Sequence, residues 1–474
     1  MLFADLLFMY VFLPLCIGSY FIARGIKAKN IVLVVFSLIF YAWGEPVRIL
    51  LLIAGTLVNY FLARLMDTKF PQKTRKLAIV LSLIFNIGML GVFKYTDFII
   101  ENINLIPGVE IPKTGITLML GISFYTFQII SYMVDVYWEK VPVQKNYGKL
   151  LLYISLFPQL VSGPIVRYQT IADEINDRHT SVNDAIEGFA RVIVGLSKKI
   201  LLANNLYLLV QQCFMETEGG VFANATVGGT WIGIIAYSMQ VYFDFSGYSD
   251  MAIGMGRIFG FHFDENFKYP FMTRSISEYW QRWHISLGSF FRDYLLYVPI
   301  FGKRRATLSL FLVWFTTGIW HGASWNYIVW GLYFGVFVFL ETKIGKKNLK
   351  KVPDVVMHIY NKLVIVLGFA IFRFKNFADI GTFFKNIVGA NGNALWNSDT
   401  SEALMSYLFI FIVSLIACFP FTQIIKDKLK NSKQSVQTAA TVCLTAFILL
   451  LLFTDTSVLV KTFSSNNPFL YGDF

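Results

Sequence analysis

LSLFLVWFTTGIWHGASWNYIVWGLYFGVFVFL, residues 308–340, holds two apolar runs separated by a short stretch of small and polar residues. A membrane-crossing helix needs about 20 mostly apolar residues. The runs, read as spans 306–320 and 324–342, therefore form a pair of membrane helices joined by a bend at GASWN, 322–326. At the bend stands His321, between Trp320 and Gly322. An imidazole in hydrocarbon is costly, and ionisable groups at that depth are functional candidates by default.

The rest of the chain has the same character. Of 474 residues, 56% are hydrophobic and 15% charged, with 47 Phe, 24 Tyr and 10 Trp. Soluble domains carry about 25% charged residues. The fold class expected is all-α: a polytopic integral membrane protein with roughly ten to twelve crossings plus re-entrant and interfacial helices. The spans read as 3–22, 31–43, 47–65, 77–99, 115–138, 186–214, 229–253, 306–320, 324–342, 355–373, 403–421 and 437–457. Segment 31–43 is short and turns at Gly44-Glu45-Pro46, so tilting or pairing with its successor is expected; 186–214 carries Arg191, Lys198 and Lys199. Segment 2–23 lacks a basic leader and a small-residue cleavage site, and reads as a retained first helix. No separate soluble domain is evident. The chain reads as one integral domain, 1–474, with N-terminal helices at 1–110, a core at 115–345 and C-terminal helices at 355–474.

The net charge of +12 suits basic cytoplasmic loops better than a nucleic-acid partner. The basic loops are 24–29, 64–76, 139–149, 343–351 and 426–433; 101–113, 215–226 and 391–402 are weakly basic or acidic. The positive-inside rule places the first group in the cytoplasm and the second outside. Cys16, Cys213, Cys418 and Cys443 are scattered and show no ligand spacing, so neither a disulfide framework nor a metal site is expected.

Three stretches are not simple spans. LLYISLFPQLVSGPIVRY, 151–168, is broken by Pro158 and Gly163-Pro164, and such a break is tolerated only inside protein or along a cavity. The 263–305 segment contains a capping box at Ser275-x-x-Glu278, followed by a stripe of Ile276, Trp280, Trp283, Leu287 and Phe290. Those features predict an amphipathic helix over 276–295 on the cytoplasmic interface, with His284 directed inward. The third is the bend at His321.

Of five histidines, His179, His262 and His358 lie in polar loops or at a helix entrance and read as surface residues. His284 and His321 each follow a tryptophan, with no adjacent carboxylate. A helix-end histidine can simply bond a neighbouring helix. At His321, however, Gly318 and Gly322 leave room for a close neighbour or ligand, and a neutral imidazole there is available as general base towards a hydroxyl or thiol. Taken alone, His284 suits interfacial packing as well as function. Asp244 and Asp250 lie on different helix faces and read as structural, as does Lys94, whose stem can snorkel. No phosphate-binding loop, GxSxG or HExxH motif is present.

Several stretches carry a family likeness: GISFYTFQIISYMVDVY (121–137), LFPQLVSGPIVRY (156–168), YFDFSGYSDMAIG (242–254), NFKYPF (266–271), EYWQRWHISL (278–287), WHG (320–322) and NNPFLYGDF (466–474). Together these resemble the membrane-bound O-acyltransferases, in the bacterial branch serving alginate O-acetylation and teichoic acid D-alanylation. The closing YGDF departs from that branch's usual tail, and no role is assigned to it. The resemblance implies a helical bundle with a central funnel or tunnel in the bacterial cytoplasmic membrane. It places the family's membrane-embedded histidine on His321 and its second signature position on His284. It also implies no bound cofactor, a cytoplasmic thioester donor (acetyl-CoA or an acyl-carrier protein), and an extracytoplasmic glycan acceptor served by a partner acetyltransferase. D-Alanyl transfer is the alternative within the family. A transporter or flippase for lipid-linked sugars, or a non-catalytic scaffold, are the rivals outside it.

Loop charge makes a direct prediction. Single cysteines placed in 391–402 should react with an impermeant maleimide in intact cells, and those in 343–351 only after lysis. Labelling of 343–351 from outside overturns the orientation.

Overall fold

The computed structural model describes residues 3–215, 225–297 and 305–461. The 466–474 motif, most of the 215–226 loop and the basic end of the 263–305 segment lie outside these residues. Every regular element described is a helix. After a π-helical turn at Phe8–Phe12 come α1 (Leu13–Ile22), α2 (Gly25–Gly44), α3 (Ile49–Leu65) and α4 (Gln72–Ile103). Next are α5 (Ile122–Tyr137), the broken pair α6 (Tyr147–Ser155) and α7 (Phe157–Leu160), and α8 (Tyr168–Asn176). Helix α9 (Val182–Ser197) continues through a π-helical turn, Lys198–Ala203, into α10 (Asn204–Phe214), and α11 (Val227–Ile258) follows. Two short helices, α12 (Ile276–Arg282) and α13 (Ile285–Phe291), precede the hairpin of α14 (Ala306–His321) and α15 (Trp325–Ile344). The chain then runs through α16 (Lys346–Leu349), α17 (Asp354–Arg373), α18 (Phe377–Ile387), α19 (Ser398–Ala417), α20 (Phe421–Lys430) and α21 (Gln434–Lys461).

Among the described residues, seven helices are long and apolar enough to cross a membrane: α2, α4, the α9–α10 run, α15, α17, α19 and α21. Three shorter apolar ones are Phe8–Ile22, α3 and α14. The expected spans 115–138 and 229–253 are not in this set. Their helices, α5 and α11, are enclosed by other helices and buried along almost their whole length, where polar residues are tolerated. Helix α2 is also longer than the expected 31–43: it begins at Gly25, inside the basic stretch, and its 20 residues suffice to cross. Lys27 and Lys29 are accommodated because long basic stems can carry their charge to the interface.

Two large hydrophobic cores meet at a small third one. The first gathers α1–α9 and the C-terminal part of α11; the second gathers α10, the N-terminal part of α11, and helices from α12 to α19. Helix α11 thus runs through both. The third core lies at the junction and contains Phe124, Phe127, Ile165, Leu287, Phe290 and Trp320.

Several charges inside the bundle are paired. Lys199 Nζ lies 2.6 Å from Asp244 Oδ1, both nearly inaccessible, and Asp250 accepts from Arg191 at 2.8 Å and from Lys198 at 2.6 Å. Both aspartates lie inside α11 rather than at its end, held in ion pairs that account for the cations in the 186–214 span. Contacts also join loops assigned to one side by charge. Arg75 reaches the Tyr137 carbonyl at 3.2 Å and Glu139 at 2.7 Å on the basic side. Val227 and Gly228 amides donate to Ala394 and Leu395 at 3.1 and 3.0 Å on the other.

The α14–α15 hairpin packs through facing glycines. A Cβ at Gly318 would overlap the Tyr327 carbonyl oxygen, and one at Gly331 would overlap that of Trp314. Close backbone approach through small residues is a main source of helix association in membranes. Gly331→Val should therefore cost about 1–3 kcal/mol through overpacking, read as a lower melting temperature of the solubilised protein. Gly381→Ala, where a Cβ meets nothing within 4 Å, should leave it unchanged or raise it; equal melting of Gly331→Val and the parent protein overturns this account.

Candidate active site

His321 ends α14, and its side chain is enclosed by aromatic rings. The ring centroids of Trp330, Trp320 and Phe372 lie 4.7, 4.8 and 5.2 Å from the imidazole. These rings come from α14, α15 and α17, so the pocket forms only when the hairpin packs on α17. His321 is 3% exposed.

His284 does not lie within a continuous helix. The stretch expected to be one amphipathic helix over 276–295 is split at Trp283-His284, where His284 takes left-handed backbone angles of φ 45° and ψ 56°. A non-glycine residue there is uncommon and strained, and such residues gather at functional sites. The break divides the apolar stripe: Ile276, Trp280 and Trp283 pack in the second core, Leu287 and Phe290 in the third. The capping expectation holds in part. Ser275 Oγ accepts from the Glu278 amide at 3.1 Å, but the Glu278 carboxylate accepts from the Arg274 amide at 3.0 Å instead of that of Ser275.

The turn at His284 is held by Asn266. The Ile285 amide donates to the Asn266 carbonyl at 2.9 Å. Asn266 Oδ1 accepts from the Ser286 amide and hydroxyl at 3.2 and 2.9 Å, while its Nδ2 donates to Ser249 Oγ at 3.1 Å. That arrangement fixes which end of the amide is oxygen. His284 Nδ1, 3.1 Å from the same oxygen, therefore donates to it, and in the neutral ring Nε2 presents a lone pair. His284 is 2% exposed and directed inward, as expected.

Trp320 links the two histidines, its indole centroid 5.8 Å from the His284 ring and 4.8 Å from that of His321. Trp280 extends the cluster, with Trp314, Phe334 and Trp330 at 4.9, 4.9 and 5.5 Å. The residues the sequence reading singled out thus converge at the junction of the cores. The other three histidines are elsewhere: His262 pairs with Glu174 at 2.7 Å, His358 lies 3.4 Å from Lys362, and His179 is open to solvent. Among the described residues no cluster of three or more His, Cys, Asp or Glu is placed to hold a metal ion. Two residues of the site were missed. Asn266 begins the NFKYPF motif, but nothing there indicated its partner. Lys94 was read as snorkelling, whereas its ammonium turns inward to the Trp320 carbonyl.

An enclosed pair of imidazoles inside a bundle with a broken and buried segment sets two groups able to accept a proton away from bulk water. The chain belongs to the membrane-bound O-acyltransferase family, whose model matches residues 143–347. It is a membrane O-acyltransferase. It is similar to the protein named "Probable alginate O-acetylase AlgI" from Pseudomonas aeruginosa, 38% identical over 386 residues, covering 79% of this chain and 72% of that one. A peptidoglycan O-acetyltransferase of Helicobacter pylori is 33% identical over 434 residues, 83% and 81% of the two chains. A teichoic acid D-alanyltransferase of Bacillus subtilis is 30% identical over 284 residues, 56% and 70%.

Asn266→Ala removes the acceptor shared by His284 and Ser286, and a buried donor left unpaired costs about 1–3 kcal/mol. Acyl transfer should fall about tenfold or more, while Asn266→Asp, which keeps an acceptor oxygen, should retain most of it. Equal transfer by Asn266→Ala and the parent protein would remove Asn266 from the site.

Proposed function

We propose that this O-acyltransferase takes an acetyl group from a cytoplasmic thioester, acetyl-CoA or an acyl-carrier protein, and delivers it towards a glycan outside the membrane, with His321 as general base. One observation carries the reading: both imidazoles converge on the Trp320 indole in an enclosed pocket at the junction of the cores. His321 removes the proton from the acceptor hydroxyl as its oxygen attacks the thioester carbonyl. The tetrahedral intermediate collapses, the C–S bond breaks, and the thiolate leaves with the proton. His284, through its unprotonated Nε2, lines the donor's approach or orients the acceptor.

Polar side chains are also buried within the bundle. Gln128 of α5, Gln159 and Ser162 of the broken segment, and Ser246 of α11 are buried, and each has a side-chain polar atom with no protein partner. Such groups suit the amides of a carrier arm. Helix α14 rises roughly 24 Å over its 16 residues; with Arg305 on the basic side, this reading has His321 towards the acceptor's side.

The names of the relatives support an acceptor such as alginate-like polysaccharide, peptidoglycan or teichoic acid. Acetyl transfer is favoured over D-alanyl transfer because the two acetyl-transferring relatives match at higher identity and over more of the chain. An extracytoplasmic acetyltransferase is the proposed partner that completes the transfer. A transporter reading is disfavoured, since Asp244 and Asp250 are tied to lysine and arginine rather than lining an ion path.

His321→Ala should reduce label transfer from radiolabelled acetyl-CoA to envelope glycan by about 100-fold or more, within the range for a general base, with unchanged protein in the membrane. Near-normal transfer by His321→Ala overturns the catalytic assignment. Loss of the protein from the membrane would assign His321 to packing instead.

A further inference from the structure

Helix α4 passes behind the bend that carries His321, and four of its side chains grip that bend. Lys94 Nζ donates to the Trp320 carbonyl and, at 3.3 Å, to Ser123 Oγ. The Tyr95 hydroxyl donates to the Ile319 carbonyl at 2.7 Å. Further along, the Phe98 ring lies 5.9 Å from that of Trp325, and Asn102 Oδ1 accepts from Trp325 Nε1 at 2.9 Å. Lys94, Phe98 and Asn102 follow at four-residue intervals and so share one face of α4. The bend is held before His321 at Ile319 and Trp320, and after it at Trp325.

Both carbonyls belong to the last turn of α14, where a helix leaves acceptors short of partners, although that of Ile319 also accepts from the Gly322 amide at 3.2 Å. Either could be satisfied by a neutral donor. An ammonium within a membrane helix is costly, and Lys94 turns its charge onto the peptide unit joining the two residues at the centre of the site. The same ammonium lies 5.8 Å from the centroid of the Trp320 indole, the ring that touches both imidazoles.

We propose that Lys94 is a positioning residue for acyl transfer. With Tyr95 it pins the Ile319–Trp320 backbone, so that His321 keeps one approach to the reacting carbonyl. The catalytic part of this inference rests on His321 being the base; the clasp itself does not.

The test uses the full-length protein in lipid nanodiscs with Lys94→Met, Lys94→Arg and Tyr95→Phe. Hydrogen exchange of the 318–326 amides should rise about tenfold or more in Lys94→Met, with other helices unchanged, and stay near the parent level in Lys94→Arg. With acetyl-CoA as donor and de-O-acetylated peptidoglycan as acceptor, assayed in cell membranes that retain the proposed partner acetyltransferase, kcat of Lys94→Met should fall about 100-fold while KM for acetyl-CoA moves by less than about threefold. Lys94→Arg should recover at least about a tenth of the parent kcat. Should Lys94→Met not accumulate, Tyr95→Phe decides: it loses one hydroxyl, and should raise exchange at 318–326 and lower kcat. Unchanged exchange at 318–326 in the accumulating variants overturns the clasp. Raised exchange with parent-level kcat overturns the positioning role. If His321→Ala retains transfer, the base assignment falls, and the exchange measurement still decides the clasp.

Discussion

A backbone amide or carbonyl in hydrocarbon has no water to bond, so each interruption of a helix at membrane depth must be sealed by another part of the protein. This chain interrupts its helices at three places near the site, and the seals connect them. The Phe157 amide, between α6 and α7, donates to Ser37 Oγ of α2 at 3.1 Å. Beyond α7, the Ile165 amide donates to Ser286 Oγ at 3.0 Å. Ser286 belongs to the second interruption, at His284, which Asn266 closes. The third, after His321, is held by α4 on one side. On the other, Asn326 donates to the Ile371 and Phe372 carbonyls at 3.2 Å each. Polar side chains enter this region to satisfy backbone, and the catalytic candidates stand at those breaks.

Helix α11 makes the arrangement rigid. It packs tightly along α9, where a Cβ at Gly247 or Gly254 would come within 2.6 Å of the Gly195 or Gly188 carbonyl oxygen. Its aspartates are locked to cations of the α9–α10 run. The same helix presents Phe245, 4.6 Å from His284, and Ser249, the partner of Asn266. The charge network and the site are thus built from successive turns of one helix, with the carboxylates facing away from the imidazoles.

The membrane character was legible because lipid imposes a strong and repeated signal: long apolar runs, and basic residues between them. His321 was legible for the complementary reason, as a polar group where that signal excludes one. What escaped depended on tertiary relations. The stripe Ile276, Trp280, Trp283, Leu287, Phe290 satisfies helical spacing whether or not the helix is broken, so the kink at His284 left no trace in periodicity. A lysine that snorkels and a lysine that turns inward are identical in sequence; only the position of α14 behind α4 separates them. Asn266 sat in a motif already noticed, but its role needs three partners, Ser249, His284 and Ser286, which only the folded chain brings together. The start of α2 was misplaced because charge was taken to end a helix, when basic stems can be carried within one.

The shortness of α14 has a consequence for the surrounding lipid. Its exposed side chains Leu308, Leu312 and Phe315 are apolar, and its 16 residues rise roughly 24 Å, less than a bilayer core about 30 Å thick. Such a mismatch draws the two leaflets together locally. A bilayer thinned in this way is narrower beside the hairpin that bears His321, and acyl lipid length and membrane thickness become physical parameters of the proposed site.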